Sequence, residues 1–149
     1  MSQPEPPTAE QVAEKYRTQM QGGFTGLLGM TFGPASADRV EVSVPVTDEL
    51  RQPYGIVHGG VHSSLVETAA SVGAALWFGG RGNVVGVTNT THFLRAVREG
   101  SLQAVATPIH RGRTQQLWLV EIHDDTGRLV ARGEVRLANI ASAEVIGNS

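Results

Sequence analysis

The chain has 149 residues, enough for one domain with a substantial core, and carries 12 Lys and Arg against 14 Asp and Glu, a net charge of -2. That balance gives no bulk attraction to nucleic acid or anionic lipid, so neither is expected as a partner. With no cysteine there is no disulfide framework, thiolate nucleophile or Cys-based zinc site, and no apolar run approaches the roughly 18 residues of a membrane span.

Residues 1–21 read as an N-terminal tail and a short helix. The first seven are Pro-rich and expected to stay disordered, and Thr8 is a candidate N-cap with Gln11 three residues on. Met1 to Glu10 hold no basic or apolar signal region, which makes the cytoplasm the default location. Residues 22–140 read as a single folded domain and 141–149 as a C-terminal tail. Within the domain, 22–34 is Gly-rich yet contains Phe24, Leu27, Leu28, Met30 and Phe32, the composition of a loop that packs inward. From 39 to 47 Val40, Val42, Val44 and Val46 alternate with Glu41, Ser43 and Pro45, the period of a half-buried strand. Pro45 marks an edge or an end.

A helix is expected over Gly59–Phe78. At 100° per residue, Val61, Leu65, Thr68, Ala69, Val72 and Leu76 form one stripe, and the opposite side holds Gly60, Ser63, Ser64, Glu67, Ser71 and Ala74. A surface helix would carry Lys and Glu on that second side. Its small residues imply that both faces are covered, one by the chain's own sheet and the other by a second subunit or a ligand. Strand patterns then follow at 83–94, 101–109, 114–123 and 128–139. The last three are joined by short turns and expected to be antiparallel neighbours.

Chemistry concentrates around this helix. Gly59 and Gly60 open it without side-chain obstruction, so its first N–H groups are free to hold a carbonyl oxygen that becomes an oxyanion; tight packing is the alternative reason for a glycine pair. Glu67 is the only charged residue between His62 and Arg81. On the small-residue face it is a candidate general base or nucleophile, with Ser71 one turn on as a hydrogen-bond partner. A structural Glu paired with Arg across an interface is the other possibility. His58 and His62 are four apart, but the helix start disfavours a cation there and no H-E-x-x-H pattern exists, so no metal is expected. Gln52 is a candidate neutral polar group of the site or an ordinary loop residue. Ser63 and Ser64 lie in no nucleophile elbow, and 78–83 lacks the ending of a phosphate loop. Arg95 with Arg98, and Arg111 with Arg113, are placed to grip phosphates or to be solvated turn residues.

The run Asp48-Glu49-Leu50-Arg51-Gln52, then Gly55-Ile56-Val57-His58-Gly59-Gly60, then Leu65 and Glu67, resembles the 4-hydroxybenzoyl-CoA thioesterase branch of the hotdog fold, which places a glutamate on its central helix. Phenylacetate-pathway thioesterases are related but commonly carry aspartate there. The resemblance extends through residues 93–100 and 124–129 and covers about residues 24–138. It implies an α+β hotdog domain, an antiparallel sheet wrapped around one long helix, that hydrolyses an aryl or short acyl-CoA thioester to the acid and CoA. It also implies Glu67 as nucleophile or general base, Gly59 N–H as the donor polarising the thioester carbonyl, and His58 and Gln52 as site residues, with Ser71 in place of a threonine. Arg95 and Thr114 match CoA-contacting positions, Asn89 is counted with them, and Arg113 stands where the family has serine and is a candidate replacement phosphate contact. The family's site lies at a homodimer interface, dimers commonly pair, and no cofactor is needed. A hotdog hydratase or dehydratase, or an acyl-CoA binding protein without catalysis, is the alternative.

Overall fold

A computed structural model describes residues 8–141. The elements are α1 (Ala9–Gln19), α2 (Gly23–Leu27), β1 (Thr31–Ala35), β2 (Val40–Pro45), a 3-10 turn at Asp48–Leu50, α3 (Gly59–Phe78), β3 (Asn83–Phe93), β4 (Ser101–Arg111), β5 (Gln115–His123) and β6 (Leu129–Ile140). All six strands join one antiparallel sheet in the order β1-β2-β4-β5-β6-β3, and α3 touches every strand from β2 to β6. This is the hotdog arrangement expected from the resemblance. None of the described helices is long and apolar enough to cross a membrane. The proline-rich stretch over 1–7 and all but Ala141 of the C-terminal tail lie outside the described residues.

The alternation in β2 buries Val40, Val42 and Val44 against Leu102, Ala104 and Ala106 of β4, and the next strands continue the layer with Trp118, Val120, Ile122, Val135 and Leu137. From α3, Leu65, Val66, Ala69, Ala70 and Val72 complete the core. Each large side chain so buried contributes about 1.5–3 kcal/mol of transfer free energy. Pro45 ends β2 opposite Ser101, and β4, β5 and β6 are antiparallel neighbours as the short turns require.

Three features differ from the sequence reading or add to it, and Phe24 and Leu27, expected to pack inward, stand 62% and 83% exposed on α2. The Gly-rich segment contains a strand, β1, whose Phe32 pairs with Val42 before a bulge shifts the register to Ala35 opposite Val40; its Gly33 and Pro34 hide the strand period. Strand β3, given no partner by the sequence, crosses to pair with β6, Asn83 opposite Ile140. The buried face of α3 is also wider than a 100° stripe, taking in His62, Val66, Ala70, Gly73 and Ala74, because a curved sheet contacts more of the helix than a flat layer would. Ala74, expected on the second face, lies beneath Gln116, whose Nε2 donates to its carbonyl at 3.2 Å.

Both ends of α3 are held by side chains. His58 is the N-cap, its Nδ1 accepting the Gly60 N–H at 2.8 Å, and Arg81 donates to the Phe78 and Trp77 carbonyls at 2.6 and 2.8 Å while lying over the Trp77 ring. The sheet's two edges differ. β1 is five residues long and contains Pro34, whereas β3 runs eleven residues without a proline or an acidic or Lys/Arg side chain, and its Val87 is 56% exposed.

Candidate active site

The segment from Arg51 to His58 is pinned before it enters α3. Gln52 N–H donates to Ile56 carbonyl and Gly55 N–H to Gln52 carbonyl, both at 2.8 Å, a tight turn that needs the positive φ of 76° at Gly55. Val57 N–H then reaches the Val97 carbonyl at 2.8 Å and His58 N–H the Leu50 carbonyl at 2.9 Å. The start of α3 is thereby fixed against the middle of the β3–β4 connection.

Between them opens a cleft of about 480 Å³ lined by Gln52, Ile56, Val57, His58, Gly59, Gly60, His62, Phe93, Leu94, Arg95 and Ala96. Its size is that of a site for an ordinary small ligand. Among the described residues the Gly59 N–H has no hydrogen-bond acceptor, while the Gly60 N–H is occupied by the His58 cap. With Nδ1 accepting, the neutral His58 ring carries its proton on Nε2. The packing reason for the glycines also holds: a Cβ on Gly59 would stand 2.8 Å from Phe93 Cζ, and one on Gly60 would stand 2.9 Å from His58 Nδ1.

Of the expected site residues, Gln52, His58, Gly59 and Arg95 meet in this cleft. The Gln52 side-chain oxygen accepts the Tyr54 N–H at 2.7 Å, and Arg95 donates to the Leu129 carbonyl at 2.7 Å from an exposed position. Glu67 does not line it. Eight residues along α3 is about 12 Å at 1.5 Å per residue, and Glu67 is exposed on the flank beside β3, where a Cβ on Gly86 would be 3.7 Å from its Oε1. Ser71 is half-buried one turn further, and no hydrogen bond joins it to Glu67.

Asn89 ties β3 to α3: its Nδ2 donates to the Ser63 carbonyl at 2.9 Å and its Oδ1 accepts the Thr91 hydroxyl at 2.7 Å. Arg113 and Thr114 are exposed in the β4–β5 turn, where their carbonyls accept from Asn139. That turn stands near the C-terminal end of α3, since neighbouring Arg111 lies over Trp77. About 30 Å of helix therefore separates Arg113 and Thr114 from the cleft that Arg95 lines.

Phe93 and His62 are among the cleft residues to which the sequence assigned no role. Phe93, at the end of β3, covers Gly59, and its ring centre is 6.0 Å from that of His62. His62 itself is only 3% exposed, its buried Nδ1 has no partner among the described residues, and loss of solvation lowers its pKa from the ordinary imidazole value. The signal for His62 in the sequence was its spacing from His58, a metal pattern that was set aside for want of an H-E-x-x-H motif. Among the described residues no three His, Asp or Glu side chains converge.

The sequence matches the thioesterase superfamily over residues 54–131. A Mycobacterium tuberculosis protein that bears the name of an esterase is 46% identical over 120 residues, 78% of this chain and 86% of that one. The 1,4-dihydroxy-2-naphthoyl-CoA hydrolase of Escherichia coli is 34% identical over 125 residues, 84% of this chain and 92% of that one. Among solved structures, a Haemophilus influenzae thioesterase superposes with a TM-score of 0.84 at 29% identity, covering 98% of this chain and 99% of that one.

Proposed function

The chain belongs to the thioesterase superfamily and is a thioester hydrolase, and on that premise we propose that it cleaves an aryl or short acyl-CoA at a site completed by two copies of the chain. The observation that carries this reading is the unpartnered Gly59 N–H at a cleft that holds no carboxylate, while Glu67 stands exposed about 12 Å away beside an open sheet edge. A second copy approaching along β3 would cover that edge, bury the small-residue flank of α3 and bring one chain's Glu67 to the other's Gly59.

In such a site the thioester carbonyl oxygen accepts from Gly59 N–H, where the partial positive charge of the helix start stabilises the oxyanion. Glu67 either takes a proton from water as it attacks the carbonyl carbon, or attacks directly to give an anhydride that water opens. In both routes the C–S bond breaks, the sulfur leaves as thiolate and takes up a proton, and the acyl group leaves as a carboxylic acid. His58 Nε2–H and the Gln52 amide orient the reacting group, and Ser71 supports the carboxylate or water. Arg95 meets the CoA nucleotide from the cleft's own chain. Arg113 and Thr114, a helix length away, reach a nucleotide only if another chain supplies them, which favours pairing of dimers.

The test is thiol release from aryl- and straight-chain acyl-CoAs by the wild type and by Glu67→Ala and Glu67→Gln. Removing the carboxylate is expected to lower turnover by about 100-fold or more. Rates within a few fold of wild type would remove Glu67 from the mechanism. Single-turnover hydrolysis in oxygen-18 water separates the two routes, label in Glu67 marking the covalent one.

A further inference from the structure

Gln116 lies on the inner face of β5, 0% exposed, where the alternation of the strand calls for a hydrocarbon. Its hydrogen bonds run in one direction. The Trp118 indole can only donate, so at 2.8 Å it takes the Gln116 side-chain oxygen. The Gln116 nitrogen is thereby turned to the Ala74 carbonyl at 3.2 Å and to Asn139 Oδ1 at 2.8 Å. That leaves the Asn139 nitrogen facing the β4–β5 turn, where it donates to the Gly112 carbonyl at 2.9 Å and the Arg113 carbonyl at 3.3 Å. A donor-only ring in the core thus fixes which way an amide points at the rim of the sheet.

The backbone N–H of Asn139 adds a bond to the Thr114 carbonyl at 2.9 Å. Three successive carbonyls, of Gly112, Arg113 and Thr114, are therefore gathered on one residue, although a turn exposed at Arg113 and Thr114 could leave them to water. In a planar trans peptide the following N–H points opposite to the carbonyl. The N–H groups of Arg113 and Thr114 accordingly face away from Asn139, and neither has an acceptor among the described residues. Successive outward N–H groups beside a guanidinium and a hydroxyl suit a phosphate. The near flank of the turn is fixed too, since Arg111 Nη1 donates to the Ala37 carbonyl and to Asp38 Oδ1, both at 2.8 Å.

Resting on the reading in which Arg113 and Thr114 meet the CoA nucleotide, we propose that Asn139, oriented by Gln116 and Trp118, is a positioning residue for CoA recognition: it draws the turn's carbonyls inward so that its N–H groups and the two side chains are presented to a phosphate.

The experiment takes an aryl-CoA that the wild type cleaves and the N-acetylcysteamine thioester of the same acid, which lacks the nucleotide. Wild type is expected to favour the CoA ester in kcat/KM by about tenfold or more. Asn139→Ala should raise KM for the CoA ester by about tenfold with kcat within about twofold, and leave the short thioester unchanged. Asn139→Ser, too short to span Gln116 and the turn, should show the same loss and serves if the alanine variant does not fold. Both esters are measured on one preparation, so their ratio does not depend on the folded fraction. A wild-type ratio in these variants, or an equal fall for both esters, overturns the role of Asn139. Arg113→Ala and Thr114→Ala test the underlying reading: if they lower the ratio and the Asn139 variants do not, the positioning role alone fails, and if they too leave it unchanged, the turn does not meet the nucleotide and both fail. Should no thioester be cleaved, the hydrolase reading fails, and calorimetry with free CoA and with pantetheine decides instead. CoA binding weakened about tenfold by Asn139→Ala, with pantetheine unaffected, supports the proposal; equal or absent CoA binding refutes it.

Discussion

Replacing Gly73 by alanine sets two effects of known size against each other. In a helix interior the change alone is worth roughly 1 kcal/mol in favour of folding. Here the new Cβ would stand 2.5 Å from Trp118 Cζ3 and 2.6 Å from Cη2, where carbon pairs are comfortable at about 3.5–4.0 Å. The overlap is about 1 Å on two ring atoms, and the ring cannot retreat. Trp118 is 0% exposed, its Nε1–H donates to Gln116 Oε1 at 2.8 Å, and Gln116 Nε2 is held in turn by the Ala74 carbonyl and by Asn139 Oδ1. Overpacking costs roughly 1–3 kcal/mol, and weakening a buried hydrogen bond adds roughly another 1–3, so Gly73→Ala is expected to destabilise by about 1–5 kcal/mol net. Urea unfolding followed by tryptophan fluorescence reads this directly. If α3 instead moves off the sheet, Glu67 on the same helix moves too. Turnover should then fall by more than the folded fraction, by up to about 100-fold for a 1 Å displacement. The decisive comparison is a double-mutant cycle with Trp118→Phe, whose smaller ring makes room. A favourable coupling of about 1 kcal/mol or more is expected. A Gly73→Ala protein as stable as wild type, or a cycle without coupling, would refute this account of the helix–sheet contact.

Further outcomes can be checked on the same material. The lowered pKa of His62 means that the unfolded chain takes up a proton, below about pH 6.5, before the folded one does. Stability should therefore fall as pH drops through that value until the folded pKa is passed, with a slope of at most about 1.4 kcal/mol per pH unit. His58 and Arg95 are the other titratable groups of the cleft, so the difference between wild-type and His62→Gln unfolding curves isolates the effect, and superimposable pH profiles would remove it. His58→Ala should cost about 0.5–2 kcal/mol of stability through loss of the cap. His58→Asn should recover most of that in a thermal melt without restoring turnover, and recovery of both would leave His58 only a structural role. Asn89→Ala cuts the link from β3 to the Ser63 carbonyl and is expected to cost about 1–2 kcal/mol, visible as faster amide exchange along β3 but not β5.

What the sequence disclosed divides along local and distant relations. The half-buried alternation of Val40 to Val44 and the glycine-opened run of α3 depend on neighbours in the chain, and both stand where expected. β1 was missed because Gly33 and Pro34 interrupt its period and only its pairing with β2 makes it a strand. The place of β3 beside β6 depends on residues 38 to 57 positions away, and with it go the Phe93 lid over Gly59 and the flank on which Glu67 stands. Gly59, His58, Gln52 and Glu67 were legible as candidates through motif and charge. That Glu67 lies outside the cleft was not, since helical periodicity gives a direction and not the element that faces it. His62 fell between the two stripes, and its burial follows from how far the sheet curves around α3.

The inequality of the two sheet edges has a colloidal consequence. The β1 edge is short and blunted by Pro34, but β3, paired with β6 on one side only, leaves an eleven-residue outer edge open with Val87 and Phe93 exposed and none of the Lys, Arg, acidic or Pro residues that discourage stray strand addition. A chain left with β3 uncovered is thus poorly equipped to persist as a dilute monomer. Variants that expose this edge are expected to leave solution as aggregates rather than as inactive single chains. The strand that walls the cleft is also the one on which solubility depends.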